Sequence, residues 1–75
     1  MTIDWSGCNE VETVPGKAGG LPVVRGTRLP AETILVDEEL GATAEETHES
    51  FPTVSLETIL KIRAWAHSQT HHLQP

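Results

Sequence analysis

Basic residues, aromatics and cysteines are all scarce in this chain. Among its 75 residues, 5 are Lys or Arg and 11 are Asp or Glu, for a formal net charge of −6. That balance lacks the broad basic footprint by which nucleic-acid binders usually neutralise phosphates. Tyrosine is absent, and Trp5, Phe51 and Trp65 are all the aromatics there are, so any core is thin. The single cysteine, Cys8, excludes an internal disulfide and a cysteine–histidine metal framework. It fits a reducing compartment. No stretch approaches the roughly 20 apolar residues of a membrane span. The segment 1–7 is polar, carries Asp4 and lacks the regions of a signal peptide. A cytoplasmic protein with no membrane association is expected. So short a chain buries only about 60% of its unfolded surface. Without disulfide or metal, association is the remaining way to gain stability, and a homodimer is expected.

Glycine and proline concentrate at one end. Five of the 6 glycines and three of the 5 prolines lie in residues 1–30, which disfavours helix there. The β-branched pieces Val11–Val14 and Val23–Val24, separated by Pro15-Gly16 and Gly19-Gly20, predict a short N-terminal β arm or hairpin over 1–29. From Pro30 the signals become helical. A first helix is expected from Pro30 or Ala31 to Leu40, with Pro30 at its first position and Gly41 as its stop. Thr43 and Glu46 form a capping box for a second, over Ala44–Ser50, closed by Pro52. Ser55 caps a third, from Leu56 to about Ser68. The expected fold is mainly α: a β arm, a trihelical helix-turn-helix unit over 30–68, and a fraying tail over 69–75.

Charge follows the same division. Glu32, Asp37, Glu38, Glu39, Glu45, Glu46 and Glu49 fall in residues 31–54 with no Lys or Arg among them. The flanks are neutral or slightly basic.

Several segments together resemble a known family. Asp4-Trp5-Ser6-Gly7-Cys8 and Val14-Pro15-Gly16-Lys17 precede the run Gly20-Leu21-Pro22-Val23-Val24-Arg25-Gly26-Thr27-Arg28-Leu29-Pro30. Downstream come Thr33-Ile34-Leu35, Gly41, Phe51-Pro52 and Ser55-Leu56-Glu57. This is similar to DUF433, a bacterial family of unknown function. The resemblance implies a β arm followed by a homeodomain-like helix-turn-helix bundle. It also implies a VapB-type antitoxin role beside a PIN-like ribonuclease, and no catalytic activity. The chain departs from the family pattern at Glu38, where an apolar residue is usual, so Val36 and Leu40 are expected to carry the first helix's packing. It departs again at Leu60 and Arg63, where a polar residue and Leu are usual.

Four residues are candidate site residues. Arg25 and Arg28 flank a flexible Gly26-Thr27 and suit an acidic partner or a nucleic-acid phosphate. The competing reading is that one arginine clamps the acidic first helix. On a helical wheel of the third helix, Ile59, Ile62 and Ala66 cluster, flanked by Leu56 and Leu60. Trp65 falls opposite, beside Lys61, and reads as an interface anchor. The competing reading has it close the core against the N-terminal arm. Lys61 is a possible nucleic-acid contact, with Glu57 one turn before it as a local ion-pair partner. Lys17 follows Gly16, but the segment does not match a phosphate loop. His67 and His71 are four apart, with His48 and His72 also available; no acid or cysteine completes a metal set.

No catalytic, cofactor or metal site is expected. The leading expectation is an antitoxin-like protein that binds a PIN-like ribonuclease and represses its own operon as a dimer, with weak DNA binding. The alternatives are an interaction or dimerisation module without DNA binding, and a helix-turn-helix regulator without a toxin. An enzyme ranks last.

Overall fold

The computed structural model describes residues 3–73, with the backbone alone for 70–73. The order is β1 (Val11–Glu12), a 3₁₀ turn (Ala18–Gly20), β2 (Val23–Val24), α1 (Ala31–Glu39), α2 (Ala44–Ser50) and α3 (Leu56–Leu73). The expected architecture, a short hairpin followed by three helices, is the observed one.

β1 and β2 pair antiparallel, with Val11 opposite Val24 and Glu12 opposite Val23. A further bridge joins Val23 to Pro30, so the Gly-Thr-Arg run is the loop of a second, tighter reversal. Two strands would not hold alone in water. Here Val11, Val23 and Val24 are buried on the helices.

Pro30 is the residue before α1 rather than its first position, with extended angles of φ −59° and ψ 136°. It has no side chain with which to cap. The first helical amide, that of Ala31, instead donates to the Pro22 carbonyl at 3.0 Å, which ties α1 to the arm. Gly41 follows the helix end, its amide donating to Glu38 at 3.0 Å. The capping box of α2 is formed on both sides: Glu46 N–H donates to Thr43 Oγ1 at 3.1 Å and Thr43 N–H to Glu46 Oε1 at 2.8 Å. Ser55 Oγ accepts from the Thr58 amide at 3.1 Å and starts α3.

The core lies where the helices meet under the arm. Ile34, Ile59 and Ile62 are fully buried, joined by Ala31, Ala44, Val54 and Ala66. The arm contributes Trp5, Cys8, Val11 and Val24. Three expectations are corrected. Val36 and Leu40 do not carry the packing of α1: they are 50% and 80% exposed, because Ala31 and Ile34 occupy the inward face. Leu60 is exposed and does not flank the core. The helix expected to end near Ser68 continues to Leu73.

Candidate functional site

The Arg25–Arg28 segment is built as a tight turn. Gly26 has φ +80°, a region side chains rarely adopt. Thr27 locks the turn: its Oγ1 donates to the Val24 carbonyl at 2.8 Å and accepts the Leu29 amide at 3.0 Å. Glu12, across the hairpin, holds the turn from outside. Its carboxylate accepts the Gly26 amide at 3.1 Å and Lys17 Nζ at 3.0 Å, with Arg25 3.6 Å away. The Gly26 amide, helped by Lys17, holds this carboxyl below the usual glutamate range.

The two arginines therefore differ. Arg25 is stitched into the arm, its Nε donating to the Asn9 carbonyl at 2.6 Å. Arg28 is exposed and makes no ion pair with any described residue. Neither clamps the acidic helices.

Trp65 is half-buried, with the N-terminal segment folded over it. Its Nε1 donates to the Asp4 carbonyl at 2.7 Å. Its ring edge lies so close to Gly7 that a methyl there would sit 2.8 Å from Cη2. One turn on, Gln69 pairs with the backbone of Asp4 both ways, its Oε1 accepting at 2.8 Å and its Nε2 donating to the carbonyl. Trp65 thus closes the core against the arm. Lys61 completes this seam, 3.8 Å from Glu10 of the arm and 3.9 Å from Glu57. Its charge is balanced on the face expected to meet nucleic acid.

A buried polar chain escaped the sequence reading. Arg63, 8% exposed, donates to Thr47 Oγ1 at 2.7 Å and to the Ala42 carbonyl at 3.3 Å. Thr47 Oγ1 donates in turn to Asp37 Oδ2 at 2.7 Å. One positive side chain thereby joins all three helices. Two signals of it were present in the sequence: Arg63 falls between Ile59 and Leu56 on the wheel, and it stands where the family pattern usually has Leu.

Along the outer face of α1 the surface is open. Glu32, Val36 and Glu39 follow one another at i, i+4 and i+7 along the outer face of α1. They line a cleft of about 400 Å³ with Ile3, Leu35 and Glu38, closed on the far side by Ala66 and His67 of α3. His67 Nε2 stands 2.8 Å from Glu38 Oε1. Among the described residues, Glu32, Glu39, Glu45 and Glu49 have no basic partner. A second cleft, about 330 Å³, runs between the Arg25–Thr27 turn and the start of α3.

Cys8 is buried, and burial pushes its thiol above the usual range, so it is a poor nucleophile. His48 Nδ1 donates to the Val54 carbonyl at 2.7 Å. The side chains of His71 and His72 lie outside the described residues. Among the described residues no three His, Cys, Asp or Glu side chains are grouped to hold a metal ion. No described helix is long and apolar enough to cross a membrane.

The arm, the locked Gly-Thr-Arg turn and the three helices define a small arm-plus-trihelical protein. The family model DUF433, "Protein of unknown function (DUF433)", matches residues 11–66, and the chain belongs to this family. It is similar in fold to the crystal structure of a DUF433 member protein from Anabaena variabilis ATCC 29413, with a TM-score of 0.69 and 22% identity. The match covers 89% of this chain and 66% of that one. No curated protein matches the chain.

Proposed function

We propose that this protein is an antitoxin-like inhibitor: a binding protein, not a catalyst, that neutralises a cognate PIN-like ribonuclease in the cytoplasm. The observation that carries the reading is that Glu32, Glu39, Glu45 and Glu49, exposed on α1 and α2, have no basic partner among the described residues. An RNA-cutting protein presents a basic surface to its substrate, and fixed carboxylates complement such a surface. Operon repression by a dimer is the secondary part of the proposal. Exposed Leu40 and Leu60 lie outside the α1 cleft and are apolar surface left for pairing two copies.

Weak DNA binding is part of the same reading. Base readout draws on Arg, Lys, Asn or Gln along a recognition helix. The described exposed face of α3 offers Lys61, already balanced by Glu10 and Glu57. An interaction module without DNA binding is favoured next, by that same neutralisation.

The test is co-expression with a PIN-like ribonuclease from the same genome, followed by an RNA-cleavage assay on the purified complex. Stoichiometric inhibition is expected. Full ribonuclease activity in the presence of excess protein, together with nanomolar operator binding by the protein alone, overturns the reading in favour of a DNA-binding regulator.

A further inference from the structure

We propose that the cleft between α1 and α3 is the receptor for a basic amphipathic helix of the partner protein. The inference rests on the partner-binding reading above and assigns it a place and a chemistry. Ile3, Leu35 and Val36 give the cleft an apolar strip, and Glu32, Glu38 and Glu39 give it carboxylates on the same side. Val36 is 50% exposed, although the sequence pattern assigns it to the core. Left outside the core by Ala31 and Ile34, it offers an apolar contact that a partner side chain would cover.

The charge selects the occupant. A helix that inserts Leu or Ile side chains between the carboxylates must bring Lys or Arg on its flanks, because apolar anchors alone would desolvate the acids without replacing their water. A second copy of this chain supplies little of that surface. Lys17, Arg25 and Lys61 are held by Glu12, Glu10 and Glu57 within one subunit and Arg63 is buried, which leaves Arg28 as the one cation without an ion pair among the described residues. Two copies meeting here would set carboxylates against carboxylates. An anionic membrane surface is repelled for the same reason. The dimension also fits. α1 is 9 residues long, about 14 Å at 1.5 Å per residue, which matches two to three turns of a docked helix.

The experiment uses the isotope-labelled full chain and a synthetic Leu/Lys amphipathic peptide of about four helical turns. Amide shifts followed by NMR are expected to concentrate on residues 32–39 and 66–67. Val36→Ser and Glu39→Lys should each weaken the peptide by about tenfold, in keeping with loss of an anchor contact. The Glu39→Lys loss should shrink as salt screens the charge. Leu21→Ser, which removes an exposed leucine outside the cleft, should leave the affinity unchanged. A Leu/Glu peptide of the same pattern should not bind.

The assignment is overturned if Val36→Ser binds like the parent, if shifts map elsewhere, or if the Leu/Glu peptide binds equally well. It is also overturned if sedimentation finds a dimer that Val36→Ser dissociates, since the cleft would then hold a second copy. The two readings fail separately. A ribonuclease that binds the Val36→Ser and Glu39→Lys variants as tightly as the parent removes the cleft and keeps the inhibitor. A cleft that takes the basic peptide while the ribonuclease ignores the protein keeps the cleft and removes the inhibitor.

Discussion

The arm seam and the outer face of α1 use charge in opposite ways. On the side covered by the arm, cations and anions meet: Lys17 and Arg25 with Glu12, and Lys61 with Glu10 and Glu57. Backbone groups there are also taken up, as Trp65 and Gln69 close on Asp4. On the α1 side, Glu32 and Glu39 have no basic partner among the described residues and flank an exposed valine. Three of the chain's 5 cations are engaged by acids of the arm, Lys17 and Arg25 within it and Lys61 from α3. Glu32 and Glu39 of α1 and Glu45 and Glu49 of α2 are left without a basic partner among the described residues. The arm side reads as structure, and the α1 side as a surface for something else.

Substitutions on the arm side should cost stability and those on the α1 side should not. Trp65→Ala carries the largest expected effect. It removes a half-buried indole, its bond to Asp4 and its packing on Gly7, and should cost about 3 kcal/mol of unfolding free energy, measured by urea denaturation. A change below about 0.5 kcal/mol, typical of a surface substitution, would break the contrast between the sides. Gly7→Ala comes next. The added methyl meets the indole at 2.8 Å, and the overpacking should cost about 1–2 kcal/mol. The same change in a Trp65→Ala background should be close to neutral, because the ring it strikes is gone.

Glu12 gives a pH signature of the arm side. Its folded pKa lies below the ordinary value, so its stabilising effect is fully present above about pH 4.3, the usual glutamate value, and is lost as pH falls through the folded value. The stability gap between the parent and Glu12→Gln should therefore narrow between about pH 6 and about pH 3. A gap that widens on acidification contradicts the assigned role. The smallest effect is expected on the other side. Val36→Ser should change unfolding free energy by less than about 0.5 kcal/mol, since the valine is already half in water.

What was legible in the sequence is what local rules govern. The capping box of Thr43 and Glu46, the Ser55 start of α3 and the Val11 and Val23–Val24 strands depend on neighbours within a few residues, and they stand as expected. The errors share a different origin. Trp65 falls among polar residues on the wheel because the segment covering it lies 61 positions earlier in the chain. Gln69 was assigned to a fraying tail for the same reason, since its partner is Asp4. Arg63 was read as a departure from an apolar pattern. Its burial depends on Thr47, Ala42 and Asp37, which no periodicity connects. Val36 and Leu40 were placed inside because apolar residues usually are, yet the inward face of so short a helix is filled by Ala31 and Ile34. At the candidate site, the acidic block was visible as composition. That its α1 part lines an open cleft needed the packing of α1 against α3, and the ion pairs of the arm show where the cations go.

The central claim is that partners are recognised by the α1 side and not by the arm side. The most direct measurement is calorimetric titration of the proposed ribonuclease partner with three proteins: the parent, Val36→Ser combined with Glu39→Lys, and Arg28→Ala combined with Lys61→Ala. The account predicts at least about a tenfold loss for the first pair, equivalent to 1.4 kcal/mol, and parental affinity for the second. Parental affinity for the α1 pair with loss for the Arg28 and Lys61 pair would contradict it and move recognition to the arm side.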